Sequence, residues 1–268
     1  MPEMIVSFSG ERKKNSEVLL VIPAYNEADS IERVVDELVR DYPSLDYIVV
    51  TDGPTDGTDV ICRQRGYNAL HLPKNLGLAG CFHNGMKYAS EMGYRFAVQF
   101  DGDGQHRPEY IDAMYRKALE GYDIVMGSRF LPLEKDSAGP GAAGLPGRKD
   151  AGSEMSGMRS LGSRLIRLAI LWKTGTRVTD PTCGLRMYDK RIIDMFARRT
   201  DLAPEPDTVS LLIMKGAKVA EVPVRVAQRE SGESYLRPMN AIRYMRRMLG
   251  SILGMRTKRK TGRGLAED

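Results

Sequence analysis

A chain of 268 residues that is 42% hydrophobic can fill one sizeable core. Its formal net charge of +5 is too small to imply nucleic-acid binding, and Cys62, Cys81 and Cys183 neither space like metal ligands nor form a disulfide framework. No stretch reaches the ~20 consecutive apolar residues of a membrane span, and the polar run from Met1 to Asn15 does not read as a secretory signal, so a cytoplasmic protein is expected.

Val18 to Ile22 is an unbroken apolar run stopped by Pro23, the pattern of a buried strand. Ile31, Val34, Val35, Leu38 and Val39 then recur at helical spacing, with Asp29 or Ser30 as the cap. Tyr47 to Val50 predicts a second strand, Thr58 to Arg65 a short helix, and Ala69 to Leu72 a third strand. A helix over about Leu78 to Met92 leads into a strand at Phe96 to Phe100. Pro108 opens a helix that runs through about Leu119, and Ile124 to Met126 is a further strand.

Strands alternating with helices predict an α/β fold, a mainly parallel central sheet with helices on both faces. Ligands of such sheets bind outside the carboxyl ends of the strands. The unusual polar residues sit there: Pro23 to Glu27, Asp52 to Thr58 and Asp101 to His106. From 133 to 156 Gly, Ala, Ser and Pro dominate without periodicity, which predicts either a mobile lid or a plain solvated loop. Helical patterning returns at Arg159 to Leu171, and Lys218 to Val226 predicts a strand whose Pro223 places it near a sheet edge. The chain divides into a domain over 1–236 and a C-terminal appendage over 237–268.

The sharpest chemical feature is Asp101-Gly-Asp-Gly-Gln-His106, just after an apolar strand. Two carboxylates two residues apart, with glycines between and after, can bend around a hard cation. Mg²⁺ takes one or two carboxylates plus substrate phosphates, and a metal so held stabilises the charge of a departing nucleotide. The competing reading is an ordinary Asp-Gly turn at a strand end. His71, His83 and His106 do not space as a metal triad; His106, beside the carboxylate turn, is a candidate substrate contact.

Val21-Ile-Pro-Ala-Tyr-Asn-Glu27, Asp52-Gly-Pro-Thr-Asp-Gly-Thr58, Lys74-Asn-Leu-Gly77, the Asp101 segment and Gly127-Ser-Arg-Phe130 follow one another in an order that closely resembles family 2 glycosyltransferases of the GT-A fold. The likeness runs from about Val18 to Tyr244. It implies a hexosyltransferase that takes sugar from a nucleotide-diphosphate donor with Mg²⁺ or Mn²⁺ and inverts the anomeric centre. Pro23, Ala24, Tyr25 and Glu27 are implied to line the nucleoside pocket, with Asp52 at the base or ribose and Asn75 and Gly77 also on the donor side. Asp101 is implied to touch ribose or metal-bound diphosphate, Asp103 to ligate the metal and Gln105 to stand beside it. Where the family usually has two aspartates and a serine, this chain has Thr51, Asp52 and Pro54, so no particular base is implied. Asp52 reads alternatively as a helix cap, and Tyr25 as a packing aromatic.

Thr179-Asp-Pro-Thr-Cys-Gly-Leu-Arg186, Glu221-Val-Pro-Val224 and Arg229-Glu-Ser-Gly-Glu-Ser234 resemble the dolichyl- or polyprenyl-phosphate branch of that family. Arg229 and Ser234 become candidates for an acceptor phosphate, through charge-assisted hydrogen bonds. Asp207, or alternatively Asp180, with Glu205 in reserve, is a candidate general base, which a hydroxyl acceptor needs and an ionised phosphate does not. The Thr-Asp-Pro context of Asp180 equally suits a structural turn. Between Arg237 and Lys260, Ile242, Met245, Leu249 and Ile252 recur at helical intervals among Arg243, Arg246 and Arg247. Such a helix can lie peripherally on the inner face of an anionic membrane, can engage a membrane partner protein, or can pack on the domain with its basic face in solvent. The leading expectation is transfer to a polyprenyl-phosphate or other lipid-linked acceptor. The rivals are an enzyme extending a cell-surface polysaccharide with Asp207 as base, and a non-catalytic nucleotide-sugar-binding regulator.

Overall fold

The computed structural model of the chain describes residues 7–132, 157–226 and 238–255. In chain order these hold strands β1 (Ser7–Ser9) and β2 (Val18–Ala24), helix α1 (Ile31–Asp41), β3 (Asp46–Asp52), α2 (Thr58–Gln64), β4 (Ala69–Leu72), α3 (Gly77–Glu91) and β5 (Phe96–Gln99). A 3-10 turn at Pro108–Tyr110 runs into α4 (Ile111–Leu119). There follow β6 (Ile124–Ser128), α5 (Gly157–Thr174), β7 (Arg186–Asp189), α6 (Lys190–Arg198), α7 (Pro206–Met214), β8 (Val219–Pro223) and α8 (Pro238–Gly254). They belong to two units, each built from separate stretches of chain. The 133–156 segment, Arg229, Ser234 and the basic end from Lys258 to Gly264 lie outside the described residues.

The first unit takes residues up to 108 and 184–203. Its strands run in the order β1-β4-β3-β2-β5-β7. The four central strands are parallel, while β1 and β7 are antiparallel to their neighbours. Leu19, Leu20, Val21 and Ile22 are fully buried, which is why β2 is apolar without alternation. Register pairs Val21 with both Ile48 and Gln99. It therefore carries Pro23, Asp52 and Asp101 to the same, carboxyl edge. Helix α1 buries Ile31, Val34, Val35 and Leu38, the stripe read from the sequence. Helix α3 packs on β2 and β3, and α6 packs on α3.

The second unit takes 109–183, 204–228 and the chain from 233 onward. Parallel strands β6 and β8 are covered by α4, and α5, α7 and α8 pack on one another. Strand β8, with Pro223, ends the strand order and so lies at an edge, as Pro223 predicts. Four elements went unread in the sequence. The short β1 is defined by its backbone pairing with β4. β7 carries a buried arginine, Arg186, so it does not look like a core strand. α6 and α7 follow it, and α7 is apolar enough over Val209 to Met214 to pass for a strand.

Candidate active site

In the first unit the strand-end loops are tied together by hydrogen bonds. The Glu27 amide donates to Thr58 Oγ1 at 3.0 Å and the Ala28 amide to Asp56 Oδ2 at 2.9 Å, joining the loops after β2 and β3. Asn26 takes a left-handed conformation (φ 55°), and its Oδ1 accepts from the Thr55 amide at 2.9 Å. The Ser30 hydroxyl lies 2.8 Å from Glu27 Oε2 and 3.0 Å from the Gly102 carbonyl, which brings in the loop after β5. The end of β2 and the loop after it, which carry Pro23, Ala24, Tyr25 and Glu27, thereby meet the loop after β5, which carries Asp101; a Cβ on Gly102 would stand 3.1 Å from the Pro23 carbonyl. Ala24 is buried, whereas Pro23, Tyr25, Glu27 and Asp101 are half-buried.

At its centre the Asp101 amide donates to His106 Nδ1 at 3.0 Å. A nitrogen that accepts carries no proton, so the proton resides on Nε2, 3.3 Å from Asp101 Oδ2. The buried ring is steadied by an edge contact to Phe100, 5.8 Å between centroids. It orients one Asp101 oxygen, and no hydrogen bond among the described residues takes Oδ1. Asp103 is buried, and its Oδ1 accepts the Gln105 amide at 2.9 Å, closing a tight turn over Gly104 (φ 76°). A side chain on Gly104 would meet the Arg33 guanidinium at 2.6 Å. Gly184 gives the His106–Asp101 pair its room: a Cβ there would stand 3.2 Å from His106 Cε1 and 3.4 Å from Asp101 Oδ2.

Asp52 is nearly fully buried and turned inward. Its two oxygens accept the Leu76 amide at 2.7 Å and the Gly77 amide at 2.8 Å, so it caps α3 from the end of β3. This is the helix-cap alternative for Asp52; the negative charge also sits at the positive end of the helix. Exposed Asn75 shares the Gly77 amide at 3.0 Å. Burial pushes the Cys81 thiol up, and the charge of Asp52 adds to that.

The second unit holds a different cluster. Asp180 is fully buried; Arg129 grips it through Nε to Oδ2 at 2.6 Å and Nη2 to Oδ1 at 2.8 Å, and the Arg129 amide also donates to Oδ2. Burial opposes the charge on Arg129, but the hydrogen bond and charge of Asp180 outweigh it and raise its pKa. The Glu221 carboxylate accepts the Thr179 and Asp180 amides, both at 2.8 Å. Thr182 bridges Arg129 and Asp180 at 2.9 and 3.1 Å. The Thr-Asp-Pro-Thr segment is thus fixed from β6 and β8 together. Asp207 lies in the first turn of α7, half-buried, where Oδ2 accepts the Ser251 hydroxyl of α8 at 2.7 Å. Glu205, one step before that turn, pairs with Arg247 of α8 at 2.7 Å.

Sequence reasoning did not single out Arg129, Glu221 or Gly184 as site residues, although each lies inside a motif it quoted. Their partners stand about 40 to 80 positions away in the chain, as with Arg129 and Asp180.

The profile of glycosyl transferase family 2 matches residues 19–194. The chain is 30% identical to the undecaprenyl-phosphate mannosyltransferase of Micrococcus luteus, over 93% of this chain and 94% of that protein. It is 25% identical to the polyprenol monophosphomannose synthase of Mycolicibacterium smegmatis, over 83% and 82%. A solved glucosyl-3-phosphoglycerate synthase from Mycobacterium tuberculosis, in complex with Mn²⁺, uridine-diphosphate-glucose and phosphoglyceric acid, shares the fold. Its TM-score is 0.58 at 18% identity, covering 89% of this chain and 80% of that one. The chain belongs to glycosyl transferase family 2. It is a glycosyltransferase with the GT-A fold, which sets aside the reading as a non-catalytic regulator.

Proposed function

We propose that this enzyme transfers a sugar, with inversion, from a nucleotide-diphosphate donor to a polyprenyl phosphate, assisted by a divalent cation. The observation that carries the reading is the Asp101–His106 turn, where loops from parallel strands converge on two carboxylates, one of them oriented by His106. That all-oxygen donor set, Asp101 and Asp103 with Gln105 alongside, fits Mg²⁺ or Mn²⁺, which take one or two carboxylates and complete the shell with phosphate oxygens. When bound, the cation neutralises charge developing on the departing nucleotide diphosphate. The half-buried loop residues Pro23, Tyr25 and Glu27, with Ala24 beneath them, line the donor's nucleoside. Asp52 fixes the α3 N-terminus through the Leu76 and Gly77 amides, and Asn75 and Gly77 stand on the donor side.

For the acceptor, the support is what the relatives' names share. Undecaprenyl or polyprenyl phosphate recurs in them, and dolichyl phosphate in a protein of Methanococcus voltae, while their sugars differ: mannose, 4-deoxy-4-formamido-L-arabinose and N-acetylglucosamine. A phosphate acceptor arrives ionised and needs no base. Under this reading Asp180 positions its loop through Arg129, and Asp207 anchors α8 through Ser251. Arg229 and Ser234 bind the acceptor phosphate. The enzyme works peripherally, at the inner face of a membrane.

The test is transfer from a panel of radiolabelled nucleotide sugars to undecaprenyl phosphate with Mn²⁺ or Mg²⁺, counting label in the organic phase. The expected result is lipid label from one donor, lost with EDTA and with Asp103→Asn. Metal-dependent nucleotide release without lipid label from any donor would overturn the acceptor. It would return Asp207 to the role of general base for a saccharide hydroxyl.

A further inference from the structure

Helix α5 is apolar on two sides. Its inner side, Ile166, Ala169 and Ile170, is buried. Its outer side repeats Leu165, Leu168, Leu171 and Trp172 at helical spacing, with Leu168 61% and Trp172 74% exposed. A surface helix normally presents polar residues outward, and one that is hydrophobic all round is covered by something. Helix α8 lies alongside in the same direction. A Cβ on Gly162 would meet Met245 near their starts, and Lys173 Nζ donates to the Leu253 carbonyl at 2.8 Å near their ends. Exposed Leu253 thus extends the leucine–tryptophan stripe, while α8 buries Met248 and Ile252 inward.

The charge carried by the two helices is of one sign. Neither helix contains Asp or Glu, whereas Arg164, Arg167, Lys173, Arg243, Arg246 and Arg247 belong to them. Arg247 is neutralised by Glu205, and Arg243 and Arg246 are exposed. We infer that the α5–α8 face docks the enzyme on an anionic lipid bilayer, Trp172 and the leucines entering the interface while Arg243 and Arg246 meet lipid phosphates. Leucine with tryptophan beside exposed arginine is the composition of an interfacial helix, and basic residues near an anionic leaflet each add about a fivefold gain in binding. A second copy fits less well, because a twofold contact through this face sets like charges on both partners. The inference rests on the reading that the acceptor is lipid-linked, since such a substrate is met at a membrane surface.

Trp172 is the sole tryptophan of the chain, so its emission reports the docking directly. The full-length enzyme is mixed with vesicles of phosphatidylcholine, with or without phosphatidylglycerol, and followed by flotation and by fluorescence. The expected result is flotation with the anionic vesicles and a blue shift of Trp172, both weakened by salt. Leu168→Glu with Trp172→Glu weakens flotation about a hundredfold, two large side chains having lost their burial. Arg243→Ala with Arg246→Ala weakens it about 30-fold on anionic vesicles only. Both variants keep the parent's melting temperature and its metal-dependent donor hydrolysis, so loss of flotation is not loss of fold. Equal flotation of all three proteins overturns the inference. So does a vesicle-free dimer that Leu168→Glu/Trp172→Glu makes monomeric. Transfer to polyprenyl phosphate in detergent without any flotation sinks the docking face alone. Flotation as expected with no lipid labelled sinks the acceptor reading alone.

Discussion

Replacing Arg129 with Met tests whether the Asp180 cluster is a brace. The substitution keeps most of the side-chain volume and removes the guanidinium that meets Asp180 at 2.6 and 2.8 Å. Asp180 has no exposed surface, so its charge keeps only the Arg129 amide and the Thr182 hydroxyl as donors. Breaking a buried ion pair by removing one partner costs about 3–5 kcal/mol. With two neutral donors left, and an Arg129 side chain that is 20% exposed, the lower end applies, about 3 kcal/mol. Natural domains hold about 5–15 kcal/mol, so the variant folds, with a melting temperature lower by about 6–12 °C. Urea unfolding followed by far-ultraviolet circular dichroism measures the change. The double variant Arg129→Met/Asp180→Leu recovers much of the loss, because an apolar pair of similar volume replaces an orphaned charge. An Arg129→Met midpoint within about 0.5 kcal/mol of the parent would refute the reasoning, since a fully buried carboxylate cannot lose its cation at so little cost.

His106→Ala frees the Asp101 carboxylate from its orienting donor; transfer falls about 10- to 100-fold with a weaker response to Mn²⁺ titration, and an unchanged Mn²⁺ midpoint speaks against the role. Gly184→Ala places a methyl 3.2 Å from the same ring; kcat drops while the melting temperature moves by less than that of Arg129→Met. Asp52→Ala costs about 1–2 kcal/mol by uncapping α3; normal stability with lost nucleotide binding would instead make Asp52 a direct nucleoside contact. Burial pushes the Cys62 thiol up to about 12, so the folded protein holds that proton after the unfolded chain has released it. Its contribution to stability is complete below about pH 8.5, and falls progressively from there to about pH 12; urea midpoints of the parent and Cys62→Ala converge as pH rises from 8 to 10.

The apolar runs at Val18 to Ile22 and Ala69 to Leu72 and the 3.6-residue stripe of α1 could be read from the sequence because local pattern alone sets them. The Asp101 to His106 turn was legible for the same reason: its acids and glycines are neighbours in the chain. Chain order could also place the polar loops at strand ends, since parallel pairing sends every such end to one edge. It could not say which way Asp52 faces. That was decided when β3 and α3 packed so that the Leu76 and Gly77 amides took both carboxylate oxygens. β7 escaped notice because burying Arg186 breaks the hydrophobic pattern that reveals other strands. Nor could chain order show that Arg129, 51 positions earlier, closes on Asp180. The helical pattern of α5 was legible too, but a sequence gives hydrophobicity without saying which side of a helix is covered. Only packing, which leaves Ile170 buried and Trp172 in the open, separates the face that holds the fold together from the one turned outward.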